Sequence, residues 1–186
     1  MLFYPFFLIQ KHMCDIDNGI DKRCNNGQGG GSELYFFNFL KDQFTILNGE
    51  ATAITASLTE TWKYAIKGDG NTLNAPLVGD NKTGSSVCTQ TLVAQFFGTS
   101  ASNSDLLTKL AQGTSGAVLK DRDGNYILLA HEDGFDVSST IEQVSGGAKA
   151  DFYGYNASMI AETKILPPRL DDATVTAFLA LVVANT

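Results

Sequence analysis

Between Glu33 and Phe39 the chain places Leu34, Tyr35, Phe36 and Phe37 in succession. Successive side chains of a strand point to opposite faces, so a strand made of these four is apolar on both sides. Such a strand is expected to be covered on both faces rather than on one.

Most other segments follow the half-buried rule, in which apolar and polar residues alternate. From Leu58 to Lys67, Leu58, Trp62, Tyr64 and Ile66 fall on one face and Thr59, Thr61, Lys63 and Lys67 on the other. From Val87 to Phe97, Thr89, Thr91, Val93 and Gln95 alternate with Gln90, Leu92, Ala94 and Phe96. Phe135, Val137, Ser139 and Ile141 alternate too, and Tyr153 to Lys164 reads as a last long strand. A weaker strand, Phe44 to Leu47, ends at Asn48-Gly49, and a hairpin joins Ala117–Lys120 to Tyr126–Ala130 through the Asp121–Asn125 turn. Residues 68–86 carry Gly, Asp, Asn, Pro and Ser with little periodicity, and are expected to form a long mobile loop between two strong strands. Ser104 is the expected N-cap of a short helix with Leu106, Leu107 and Leu110 on its apolar side and Gly113 at its end. After Pro167-Pro168, Asp171 or Asp172 caps a closing helix with Val175, Phe178, Leu179 and Val182 at helical spacing.

The order predicts a mainly β (α+β) chain, an antiparallel sandwich or half-barrel with one short internal helix and a C-terminal helix, and no βαβ rhythm. The expected organisation is an extension over 1–12, a Gly-rich arm over 13–32 and a single domain over 33–186. The apolar run from Leu2 to Ile9 contains Pro5 and is too short to span a bilayer. It also lacks a basic leader and a small-residue cleavage site. Met13 therefore reads as the initiator, and the cytoplasm, or a particle assembled there, as the compartment.

The net charge of -7, from 13 Lys and Arg against 20 Asp and Glu, comes without a basic cluster. A binder that neutralises phosphates needs the opposite balance, whereas a weakly acidic wall lets nucleic acid pass without sticking. Three cysteines, Cys14, Cys24 and Cys88, make no disulfide framework. Reduced thiols are the ordinary reading, and a Cys14–Cys24 bridge is the alternative. His12 and His131 do not sit at metal-ligand spacing from them.

Residues Asp15 to Asp21 look like a calcium loop, but Gly19 comes one position early and Asn26 stands where the bidentate Glu belongs. They are read as a polar arm. The Asp121–Asn125 segment is read as a hairpin turn, and His131 with Glu132, Asp133 and Asp136 as a solvated loop rather than an acid–base cluster. Trp62, Tyr64, Phe96, Tyr153 and Tyr155 are read as core rather than as a carbohydrate platform. No spaced catalytic set, nucleotide loop or cofactor motif emerges, so a non-enzymatic protein without cofactor or metal is expected.

Several short motifs recur in a recognisable order. Met13-Cys14 opens an arm that ends in Gly30-Gly31 ahead of a strand with Tyr35 and Asn38. Trp62-Lys63-Tyr64 leads to Lys67-Gly68-Asp69-Gly70-Asn71, then Gln90-Thr91-Leu92 and Leu110-Ala111-Gln112. Asp121-Arg122-Asp123-Gly124-Asn125-Tyr126, Leu128-Leu129, Glu132-Asp133-Gly134 and Asp151-Phe152-Tyr153-Gly154-Tyr155 complete the series. Over roughly residues 13–182 the chain resembles the tail tube (major tail) proteins of phages and prophages of Bacteroides-type bacteria. The extension over 1–12 and the apolar run Leu179 to Val183 depart from that pattern.

The resemblance implies a structural virion protein, assembled in the host bacterial cytoplasm. Its partners would be itself and other tail proteins, in hexameric rings stacked into a tube that conducts DNA without specific binding and without a membrane. Thr59, Thr61, Thr89, Thr91 and Gln95 would then face a wet lumen. The 68–86 loop and the 14–32 arm would supply the axial contact, with Leu73, Leu77 and Val78 as its apolar residues. The alternatives are another subunit of such a particle (ring, head-completion or decoration protein) and a secreted β-sandwich adhesin or glycan-binding module.

Overall fold

The doubly apolar segment forms β1 (Gly31–Asn38), and it lies inside an eight-stranded sheet with a separate core on each face. The computed structural model describes residues 19–20, 27–66, 69–136 and 139–184. The extension over 1–12, Cys14, Cys24, Lys67, Gly68, Val137 and all but Gly19 and Ile20 of the Asp15–Asp21 segment lie outside the described residues.

The remaining elements are β2 (Phe44–Leu47), β3 (Glu50–Ile54), β4 (Thr61–Tyr64), β5 (Thr72–Asn74), β6 (Leu77–Asp80), β7 (Ser85–Phe97) and α1 (Ala101–Gln112). They continue with β8 (Ser115–Asp121), β9 (Tyr126–Leu129), β10 (Thr140–Val144), β11 (Gly154–Thr163), β12 (Arg169–Leu170), α2 (Asp172–Ala180) and β13 (Val182–Val183). The protein is mainly β, with two antiparallel-rich sheets packed as a sandwich. The larger runs β13-β4-β1-β8-β9-β12-β3-β2, and the smaller runs β10-β11-β7-β5 with β6 also on β7. Two short pairings, β12 with β3 and β13 with β4, are parallel.

Alternation along β1 builds both cores. Leu34 and Phe36 point between the sheets, where they meet Leu92 and Phe96 of β7, Met159 of β11 and Leu107 of α1. Tyr35 and Phe37 point the other way, into a second cluster with Ala51, Leu128, Leu170 and Phe178. That second cluster draws on strands from both ends of the larger sheet: Val182 of β13 and Phe44 of β2 both pack on it. The sheet is therefore rolled around α2, with the Phe178 side chain 0% exposed at its centre. The Phe37 ring lies over Gly116, its direct partner in β8; a Cβ there would come within 2.4 Å of the ring.

Several expectations hold. β7 alternates as predicted, with Cys88, Gln90, Leu92, Ala94 and Phe96 buried. Asn48 and Gly49, both at positive φ, close the β2–β3 hairpin. Asp171 is the cap of α2, its carboxylate accepting the Thr174 N–H at 2.7 Å.

Others are corrected. The Leu58–Lys67 strand is only Thr61–Tyr64, because its pairing with β1 spans three residues. Leu58 instead turns into the second core while Ile66 enters the first. Ser100, not Ser104, caps α1, accepting the Asn103 N–H at 3.0 Å, so the helix starts a turn earlier. Of its expected stripe only Leu107 is buried. The Phe135–Ile141 strand begins at Thr140, Phe135 being a buried residue ahead of it. α2 stops at Ala180, and Val182 and Val183 leave the helical stripe to pair along β4, where β-branched residues fit an edge.

Truncating the side chain around which the larger sheet is rolled tests this arrangement. Phe178→Ala should cost about 3–5 kcal/mol of stability in urea denaturation. Leu179→Ala, on the exposed side of the same helix, should cost under about 1 kcal/mol. Equal losses would mean that α2 does not close the second core.

Candidate functional site

The segment expected to be a loop contains two short strands and the start of β7. Thr72–Asn74 pairs with Val93, Leu92 and Thr91, and Leu77–Asp80 pairs with Cys88 back to Ser85. Leu73 sits opposite Leu92 and packs against the core, so it is not available as a docking residue. Leu77 and Val78 are placed differently. β11 ends its pairing with β7 at Thr163–Cys88, so β7 runs on past it with only β6 beside it. The result is an arm, residues 76–87, exposed along its whole length. Leu77, Val78 and Val87 are 47%, 61% and 39% exposed, with Val78 and Val87 directly paired.

Val87 is the functional candidate that sequence reasoning missed. A signal was present, since apolar residues flank an Asn81-Lys82-Thr83-Gly84 turn in which Gly84 takes a positive φ.

The outer face of the smaller sheet is polar. Thr89, Thr91 and Gln95 of β7 share it with Val93, and the facing positions on β11 are Glu162, Ile160, Asn156 and Ser158. β10 and β5 add Thr140, Glu142, Thr72 and Asn74 to the same face. Its charges are carboxylates, Glu142 and Glu162, with no Lys or Arg among these positions. Thr59 and Thr61, expected on this face, are elsewhere. Thr61 is fully buried in β4 of the larger sheet, and Thr59 is exposed just before that strand.

A groove of about 730 Å³ opens between α1 and the β4/β13 edge. Trp62, Tyr64, Phe97, Leu106, Leu110 and Val183 are among its lining residues. The aromatic set considered as a platform is divided by the fold. Phe96 and Tyr155 are buried, and Tyr64 packs edge-on against Phe36 and Phe96 at ring distances of 4.9 and 5.8 Å. Tyr153 is half exposed.

Two polar sites are structural in character. Glu33 accepts Lys63 Nζ at 2.7 Å, Tyr35 Oη at 2.6 Å and Lys120 Nζ at 3.3 Å. The Lys63 hydrogen bond, followed by that from Tyr35, holds its carboxyl down to about 2, and burial pushes the Tyr35 phenol up. His131 departs from the solvated loop expected of it: its side chain is 6% exposed. Its Nδ1 has no hydrogen-bond partner, Nε2 lies 3.8 Å from Glu132, and burial lowers its pKa. The Asp121–Asn125 turn is a turn, the Asp121 carboxylate accepting Asn125 N and Nδ2 at 2.7 Å each.

Among the described residues no group of three or more His, Cys, Asp and Glu is arranged to hold a metal ion, and no helix is long and apolar enough to cross a membrane. No family model, curated protein or solved structure matches the chain.

The lowered pKa values of His131 and Glu33 make folding weaken in acid. Unfolded His131 takes up a proton as pH falls through its ordinary 6.5, while the folded side chain resists it. Glu33 contributes above its ordinary 4.5, and that contribution fades as pH falls towards about 2. Urea midpoints should therefore drop in two stages on acidification. Glu33→Gln should shrink the lower stage without removing it, because hydrogen bonds also hold down the carboxyls of Asp151 and Asp171, and an unchanged pH profile in that variant would remove Glu33 from the account.

Proposed function

We propose that the protein is a non-enzymatic, self-assembling subunit of a phage-type tail tube, forming rings that stack into a DNA-conducting conduit inside a virion. The observation that carries this reading is the exposed arm over 76–87. A two-stranded hairpin is marginal by itself in water, and this one holds Leu77, Val78 and Val87 in solvent. Burying the exposed part of each such side chain stabilises a contact by a fraction of the about 1.5–3 kcal/mol that a fully exposed one would contribute. A second copy supplies that burial wherever the arm docks between copies.

Two further features support the reading. The smaller sheet has open edges, β10 on one side and β5 and β6 on the other, within the described chain. Open edges invite pairing, and joining copies edge to edge removes them. The polar outer face, bearing carboxylates and no cation, suits a wall past which a polyanion slides. Glycan binding by the monomer would instead favour the adhesin reading.

Because Leu73 belongs to the core, the segment that can be removed is shorter than the whole 68–86 stretch. Replacing residues 77–87 with a short Gly-Ser turn should leave a folded protein, checked by circular dichroism. In negative-stain micrographs the parent protein should form rings and tubes, and the shortened one rings or monomers only. Long tubes from the shortened protein would remove the arm as the axial contact. A parent that stays a compact monomer in sedimentation at high concentration, across ionic strengths, would overturn the tube reading.

A further inference from the structure

The turn after β9 holds the end of β11 by two different ties. The first is neutral and buried. Ala130, at a positive φ of 56°, donates its N–H to Gln90 Oε1 at 3.0 Å, and Gln90 Nε2 donates to Thr163 Oγ1 at 2.8 Å. The second is charged. Both carboxylate oxygens of Glu132 accept the Lys164 N–H, at 3.2 Å each. The ties meet where the arm leaves the sheet, since Thr163 pairs with Cys88 and Cys88 pairs with Leu77 on its other side. Just beyond them Ile165 and Leu166 are 39% and 54% exposed.

His131 stands between Ala130 and Glu132, the residues that begin these ties. Its side chain is 6% exposed, and its buried Nδ1 has no hydrogen-bond partner. Its Nε2 lies 3.8 Å from Glu132 Oε1, too far for a hydrogen bond and near enough to form one after a side-chain rotation. Glu132 is the charged group that acts on the ring. Asp133 and Asp136 of the same turn, Glu162 of β11 and Lys164 after it are exposed, and Cys88 of β7 donates its thiol to the Ala75 carbonyl at 3.7 Å. A buried imidazolium is costly without an acceptor, and the Glu132 carboxylate is the one beside it.

We propose that His131 and Glu132 form a proton-operated latch on the end of β11, in which protonation of the ring draws the Glu132 carboxylate onto Nε2 and releases the Lys164 N–H. The proton enters at Nε2, the nitrogen nearer Glu132, and the hydrogen bond formed there is charge-assisted. The bond given up is the one from the Lys164 N–H to the same carboxylate. The neutral tie contains no titrating group, so Thr163 keeps its place opposite Cys88. Release is therefore confined to residues 164–166, on the crossing from β11 to β12. Burial of His131 keeps the latch closed at neutral pH, and it opens below the ordinary 6.5. Acid thus loosens the root of the arm while both cores stay intact. The latch operates within a single copy, whatever the arm docks on.

NMR on dilute protein follows the His131 ring and the exchange of the Lys164 amide, corrected for its intrinsic rate, from about pH 7.5 to about pH 5. As the ring protonates, Lys164 should lose about tenfold in protection, the weight of one hydrogen bond to a charged group, while Leu34 and Val118 in the central strands keep theirs. Glu132→Gln leaves an acceptor for the Lys164 N–H but removes the charge, and His131→Phe removes the titration. In each variant the protection of Lys164 should be the same at both ends of the pH range. Glu132 is partly exposed, so its variant carries the test if His131→Phe does not fold. A loss at Lys164 in Glu132→Gln equal to that in the parent would overturn the latch, as would a protonated ring with Lys164 unchanged. A ring that stays neutral until Leu34 and Val118 lose protection would overturn it too.

Discussion

The fold depends on a central strand pair that is buried on both faces. β1 and β8 pair over most of their length, and their side chains alternate between two cores. One sheet face packing on a second sheet satisfies only half of that requirement. The other half is met by rolling the same sheet round α2, so that Tyr35, Phe37 and Val118 meet Phe178. Removing the closing helix would expose aromatic surface at the middle of the molecule. The C-terminal segment is thus structural, and its Val182-Val183 end completes the edge of β4.

Much of this was legible along the chain because period-two alternation is local. β7 and β11 show it clearly, and the Asn48-Gly49 and Asp121–Asn125 turns follow from turn chemistry that needs no tertiary context. What escaped was set by partners distant in sequence. Leu58 alternates with Trp62 and Tyr64, yet β1 offers only three pairing residues, so the strand stops short and Leu58 falls into the other core. Ser104 reads as the cap along the chain, yet the helix starts a turn earlier at Ser100, with Leu107 reaching the inter-sheet core.

The candidate site shows the same division. Leu77 and Val78 were identifiable as exposed apolar residues, but their setting was not. An irregular stretch rich in Gly, Asn and Pro became two short strands because β7 offers them a ladder. The same ladder drew Leu73 into the core and left Val87 exposed beyond the end of β11. The groove was not legible at all, since it is assembled from α1, β4, β7 and β13. The polar wall was partly legible: Thr89, Thr91 and Gln95 share a face, whereas Thr61 is buried by the C-terminal segment, its N–H donating to the Leu181 carbonyl at 3.0 Å.

The central claim is that an arm exposed in one copy is covered by another. Amide hydrogen exchange followed as a function of protein concentration tests it most directly. The account predicts fast exchange over residues 77–87 in dilute protein and marked protection at concentrations where copies associate, while β1 and β8 stay protected throughout. Exchange in the arm that is equally fast at every concentration, alongside demonstrable association, would contradict it.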